Sequence, residues 1–130
     1  MKYCPNCKKE LIIVERENVE LDYCMFCCGF WFDYNEWNIL SKKLISQDLL
    51  DNPEDIFDIP VALSGEKAKR CPVCGKKMEK FLLFDVLLDR CPDKHGVWFD
   101  MNEFSRCLNS MSANGKSKKQ IEFLGEVFNV

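Results

Sequence analysis

The feature that most constrains this chain is an internal repeat at a spacing of 67 residues. The cysteines at positions 4, 7 and 24 recur, without any gap, at positions 71, 74 and 91. The segment GFWFDYNE at residues 29–36 likewise recurs as GVWFDMNE at residues 96–103. Because cysteine and tryptophan are rare, this agreement predicts two copies of one small folding unit. Residues 1–66 are called the first copy below, and residues 67–130 the second copy.

Four cysteines of the first copy have the spacing of a metal site, Cys4-x2-Cys7-x16-Cys24-x2-Cys27. Two cysteines separated by two residues can wrap a tight turn around one ion. Two such turns, brought together by a hairpin, complete the tetrahedron of a structural zinc site. Iron is the alternative occupant, because thiolate ligands alone do not exclude it. A redox dithiol is the other interpretation, but that motif normally stands singly near a βαβ pattern.

The second copy lacks the fourth cysteine. Lys94 stands at the position of Cys27 and is not an ordinary zinc ligand, but His95, the single histidine, follows directly. The predicted ligands of the second site are Cys71, Cys74, Cys91 and His95. Since His95 aligns with Cys28, the internal comparison favours Cys28 as the fourth ligand of the first site, whereas the usual spacing favours Cys27. We prefer Cys27 and expect two zinc ions per chain.

The rest of each copy predicts a β-hairpin and a helix. Residues 19–23 alternate apolar and acidic side chains, which is typical of a half-buried strand. Asp33 with Glu36, and Asp100 with Glu103, have the spacing of a capping box. Helices are therefore expected to begin directly after both aspartates.

These elements predict a small, metal-stabilised α+β fold with two tandem zinc ribbons and a C-terminal helix. The predicted boundaries are residues 1–50 for the first ribbon and its helix, 51–69 for an acidic connector, 70–114 for the second ribbon and its helix, and 115–130 for the last helix. Trp31 and Trp98 are expected to supply core packing rather than stacking surfaces for bases, because very small metal domains need an aromatic core.

With these motifs in place, each copy resembles the transcription-factor zinc-finger family of TFIIB-like zinc ribbons. The resemblance covers residues 3–41 and 70–108 and rests on the cysteine turns, GxWFD and the following Asn-Glu. It implies a zinc ribbon and, by the family's name, a link to transcription. Lys94 departs from the family pattern, and so do Cys28 and His95, which stand where a second glycine is expected.

Composition predicts a soluble, cytoplasmic protein. No apolar run approaches the roughly 18 residues that cross a bilayer, and the N-terminus does not have the pattern of a secretory signal. We therefore expect no membrane partner. A reducing compartment favours metal binding by cysteines over disulfides, and nine is an odd number of cysteines for a fully paired framework.

The net charge of −3 is unequally divided between the copies. Residues 1–66 carry 6 Lys and Arg against 13 Asp and Glu, while residues 67–130 carry 12 against 8. Nucleic-acid binding through the second copy is therefore one hypothesis, although metal-bound thiolates make the protein more acidic still. The basic residues in question are Lys67, Lys69, Arg70, Lys76, Lys77 and Lys80.

The leading hypothesis from the sequence is a non-catalytic adaptor that binds a protein partner in transcription or translation. No nucleophile and base can be paired, and both metal sites have four protein ligands. The apolar stretch Phe81–Leu88 either packs the two ribbons together or meets another chain, including a second copy of this protein. A third hypothesis is a zinc-responsive or redox-responsive thiol protein acting through Cys27 and Cys28.

Overall fold

A computed structural model describes residues 1–16, 19–46, 56–83, 85–101, 103 and 106 of the chain. The strands are β1 (Ile12–Arg16), β2 (Val19–Tyr23), β3 (Phe30–Asp33), β4 (Glu79–Leu83), β5 (Val86–Arg90) and β6 (Gly96–Phe99). The helices are α1 (Tyr34–Ser46) and a short 3-10 helix (Ile56–Asp58).

The two copies form one antiparallel sheet. Each copy contributes a hairpin and a third strand, and the third strands β3 and β6 pair with each other, giving the order β1-β2-β3-β6-β5-β4. Phe30 lies opposite Phe99, and Trp31 lies opposite Trp98. The sequence predicted two tandem units, and the structure joins them edge to edge through the two GxWF segments.

One face of this sheet carries a core that both copies share. α1 covers this face through Trp37 and Leu40. Phe81 and Leu88 are fully buried in the same cluster, so the apolar hairpin packs the two ribbons against each other. The buried members of the cluster are Val19, Leu21, Phe30, Phe32, Trp37, Leu40, Ile56, Phe81, Val86, Leu88, Val97 and Phe99.

The helix predicted after the first ribbon is confirmed, and it begins directly after Asp33. In the second copy, Glu103 and Arg106 are helical, and the Asp100 N–H donates to Glu103 Oε1 at 2.5 Å, as in a capping box. The rest of the predicted second helix and the predicted C-terminal helix lie outside the described residues. Within the described ranges, no helix combines the length and the apolar composition needed to cross a bilayer.

Each tryptophan of the GxWF segments packs over a glycine of the other copy. A Cβ atom at Gly96 would lie 2.6 Å from Trp31 Cζ2 and would overlap the Phe32 carbonyl oxygen. A Cβ atom at Gly29 would likewise overlap the Trp98 ring. The glycines are therefore required by the close approach of the two copies, and not by an unusual φ angle.

Candidate metal centres

The first candidate metal centre lies between two turns of the first copy. The Lys8 N–H donates to the Cys4 carbonyl at 2.9 Å, and the Cys28 N–H donates to the Cys24 carbonyl at 2.9 Å. Lys8 and Cys28 close these turns in the left-handed region, with φ angles of 66° and 61°. The sulfur atoms thus brought within 4.8 Å of one another are those of Cys4, Cys7, Cys24 and Cys27.

Cys28 lies outside this group, although the internal alignment favoured it. Its left-handed backbone serves to close the turn. Its side chain is hydrogen-bonded to Tyr23, which raises the pKa of Tyr23 to about 12. The structure thus places Cys27, and not Cys28, with the other three sulfurs.

The second candidate centre has a tighter second turn. Here the Lys94 N–H donates to the Cys91 carbonyl at 3.0 Å, three residues back instead of four, and Lys94 has the left-handed φ of 63°. The next residue, His95, then reaches back, and its Nδ1 lies 3.3 Å from Cys91 Sγ. The grouped ligand atoms, again within 4.8 Å of one another, belong to Cys71, Cys74, Cys91 and His95.

Both groups fit a tetrahedral ion such as zinc. Zinc–sulfur bonds of about 2.3 Å place the ligand sulfurs roughly 3.8 Å apart. The Cys7 and Cys24 sulfurs are 3.6 Å apart, as are those of Cys74 and Cys91. A disulfide would require about 2.05 Å, and the eight described cysteines are all free thiols. Donor type, number and spacing therefore agree with structural zinc.

In each centre, a backbone N–H group lowers the pKa of one thiol and so favours the thiolate form that binds metal. The Lys9 N–H lowers the pKa of Cys7 to about 7. At the equivalent position, burial opposes ionisation of Cys74, but the Lys76 N–H and the neighbouring ligands lower its pKa to about 7. Burial raises the pKa of Cys27 to about 12. Metal binding must therefore release protons, and its affinity rises with pH until the thiols are ionised.

The tryptophans support both centres from the second face of the sheet. Trp31 and Trp98 are fully buried and pack against cysteines of the two centres. Trp31 Nε1 donates to Asp33 Oδ1 at 2.8 Å, and Trp98 Nε1 donates to Asp100 Oδ1 at 2.8 Å. The expectation that these residues are core, and not platforms for bases, is confirmed.

A repeated ion-pair network beside the tryptophans was not assigned from the sequence. Lys2 pairs with Asp22 at 3.3 Å. It also pairs with Asp33, the aspartate that accepts the hydrogen bond from Trp31 Nε1. Its counterpart Lys69 pairs with Asp89 at 3.6 Å and with the equivalent second aspartate. The 67-residue spacing between the two lysines was the signal that would have identified this network.

The structure divides the six basic residues considered for nucleic-acid binding. Lys69 and Lys80 are turned toward the buried Asp89, with Lys80 Nζ 2.6 Å from its Oδ1. Lys76 pairs with Asp93 at 2.6 Å. Those with no carboxylate partner among the described residues are Lys67, Arg70 and Lys77.

The two adjacent cysteines of the first copy should differ sharply on substitution. Cys27→Ser removes a grouped sulfur, so the affinity of the first centre should fall by more than the 10–100-fold typical of changes in outer-shell partners. Cys28→Ser changes a hydrogen bond to Tyr23 and should leave that affinity within about threefold. Competition against a chromophoric zinc chelator measures both. A larger loss for Cys28→Ser would contradict the grouping.

The comparisons with known proteins agree with this geometry. A family model described as transcription factor zinc-finger matches residues 3–43 and 70–110. These segments make up more than half of the chain and contain β1 to β6 and both candidate centres. No curated protein and no solved structure matches the chain.

Proposed function

Because this chain belongs to the transcription factor zinc-finger family, with two tandem copies of the TFIIB-like zinc ribbon, we propose that it is a non-catalytic adaptor. In this proposal, two structural zinc ions hold a surface that binds a protein partner. The family's name makes transcription the first process to examine, with translation as the second. A reducing compartment such as the cytoplasm suits thiolate ligands.

The observation that carries the structural role is the closure of both centres. Each group brings four protein ligand atoms together, so a tetrahedral ion would have no open position for water or substrate. Cys4 and Cys24 are fully buried, and Cys71 and Cys91 nearly so. Cys7 and Cys27 are half-buried and Cys74 is exposed, so it is the full set of four protein ligands, and not complete burial, that assigns the metal to folding and leaves binding to the outer surface.

The first copy carries the surface that favours a protein partner. Its turns and edge strand expose Tyr3, Ile12, Ile13, Met25 and Phe26, of which Ile13, Met25 and Phe26 are more than 60% exposed. The equivalent positions of the second copy hold Arg70, Glu79, Lys80, Pro92 and Asp93. Exposed apolar side chains rimmed by charge are characteristic of protein interaction sites. The second copy thus lacks these apolar side chains, and Lys80, at the position of Ile13, is buried instead of exposed.

Affinity capture from the host lysate, using zinc-loaded bait, tests this proposal. The double variant Ile13→Glu, Phe26→Glu should lose a partner that the wild type retains. Neither side chain is buried, so zinc content and thermal unfolding should be unchanged. Leu82→Glu is the matched control, because Leu82 is a 51% exposed apolar residue of the second copy.

Two outcomes would contradict the adaptor proposal. One is that the zinc-loaded bait enriches no protein above a chelator-treated bait. The other is that the double variant keeps every partner of the wild type. Loss of the partner by Leu82→Glu alone would instead move the interface to the hairpin of the second copy.

A further inference from the structure

A cleft lies where the first cysteine turn of the first copy meets the segment leading into the second copy. Its volume is about 480 Å³, which is within the usual range for small-ligand sites. Its lining residues are Pro5, Asn6, Lys8, Lys67, Ala68, Lys69 and Arg70. Four of these seven residues are cationic and none is acidic.

The walls of the cleft are fixed by contacts between the copies. Asn6 Nδ2 donates to Asp100 Oδ1 at 2.6 Å, and Lys69 pairs with the same carboxylate. Asp100, which directly follows β6, therefore links the second copy to the first cysteine turn of the first copy. A site held in this way loses little conformational freedom when a ligand binds.

Three of the four cations have no carboxylate to offset them. Lys8 Nζ donates to the Pro5 carbonyl at 3.0 Å, and Arg70 donates to the Gly75 carbonyl at 3.0 Å. In the described part of the chain, neither side chain pairs with an acidic residue, and neither does Lys67. Of the four cations that line the cleft, only Lys69 pairs with carboxylates, which belong to two aspartates of the second copy.

The cleft depends on residues of the first cysteine turn that differ between the two copies. The positions of Asn6 and Lys8 are held by Val73 and Gly75 in the second copy, so the second turn cannot supply the same polar groups. An exposed aromatic residue is also specific to the first copy. Phe26 is 65% exposed, and Lys9 Nζ lies 3.6 Å from its ring centroid.

We propose that this cleft binds the phosphate groups of a nucleotide chain. Three cations without a carboxylate partner are more than a single carboxylate ligand would need. They suit consecutive phosphates, which Arg and Lys contact through charged hydrogen bonds. Outside the cleft lining, exposed Phe26 beside the first metal centre carries Lys9 over one face of its ring and offers the ring for a base to stack. The cleft itself shares no lining residue with the apolar side chains proposed above for a protein partner, but Phe26, which lies outside the cleft, serves both proposals.

The competing role for these cations is to offset the charge of the first metal centre. Four thiolates with one zinc ion leave a net charge of about −2. In that role, removing a cation would weaken zinc binding and leave the affinity for phosphates unaffected. Zinc affinity and phosphate affinity must therefore be measured on the same variants.

Fluorescence anisotropy of the zinc-loaded full chain with a labelled single-stranded oligonucleotide tests the proposal. With three phosphates contacted, affinity should fall about twentyfold between about 50 and 200 mM salt. Lys67→Glu should weaken binding and lower the salt slope by about 0.7, because one contact is lost. Lys42→Glu, an exposed lysine of α1 with the same change in charge, should leave the slope unchanged.

Competition then identifies the source of the phosphate. Unlabelled oligonucleotide should displace the probe at far lower concentration than ATP or polyglutamate. Equal displacement by polyglutamate would overturn the proposal in favour of an acidic peptide. It would also be overturned by the absence of binding at low salt or by equal losses in Lys42→Glu and Lys67→Glu. Normal probe binding by Lys67→Glu, with weakened zinc affinity, would assign the cations to the metal centre.

Discussion

Chelation of the metal is expected to unfold the entire sheet in a single transition. Structural zinc contributes about 10–16 kcal/mol per site in zinc-finger peptides near pH 7, whereas whole domains are stable by only about 5–15 kcal/mol. Loss of either ion would therefore exceed the stability of the fold. Because β3 and β6 join the copies, neither copy should remain folded when the other loses its ion.

The buried tryptophans provide the measurement. Trp31 and Trp98 are fully buried and Trp37 nearly so, so their emission should shift to the red together with the loss of far-UV circular dichroism. The same chelator, saturated with zinc beforehand, is the control. Native tryptophan emission in the metal-free chain would contradict a structural role for zinc, and two separate transitions would contradict the shared core.

Gly96→Ala is expected to lower the free energy of unfolding by about 3 kcal/mol, at the upper end of the usual cost of overpacking. The added methyl group would meet the Trp31 ring and the backbone oxygen of Phe32. Backbone cannot move aside as a flexible side chain can. The added methyl group should therefore strain the pairing of β3 with β6, which joins the two copies. Denaturant unfolding of the zinc-loaded variant measures the change.

Gly65→Ala is the matched control for the glycine prediction. A Cβ atom at Gly65 would have nothing within 4 Å, so stability should change by less than about 0.5 kcal/mol. Gly29→Ala should behave like Gly96→Ala, because it meets the Trp98 ring and the Phe99 oxygen. Equal losses of stability at Gly65 and Gly96 would contradict the close packing where β3 pairs with β6.

The grouping of the ligands followed from spacing because each pair of cysteines lies within one short turn. The choice between Cys27 and Cys28 depended on a backbone angle that residue identity does not reveal. Cys28 is one of four non-glycine residues with positive φ in the described chain, and that angle removes it from the sulfur group. The left-handed Lys94 brings His95 to the metal side for the same geometric reason.

The union of the two copies could not be predicted from the repeat alone. Repeated units can follow each other as separate domains or share a sheet, and the cysteine pattern is the same in both. The pairing of β3 with β6 depends on contacts over a sequence separation of about 66 residues, which local propensity does not encode. Lys80 shows the same limit, since its charge suggested phosphate contact while its strand turns it toward Asp89.

Native mass spectrometry with metal analysis tests the central claim most directly, namely that two four-ligand zinc centres build this fold. The wild-type chain should carry two zinc ions. Under mild chelation that leaves the wild type fully loaded, His95→Ala should lose the ion of the second centre, and the ion of the first centre should follow because the two copies fold together. A wild-type chain that binds a single ion, or a His95→Ala chain that retains both ions as firmly as the wild type, would contradict the account.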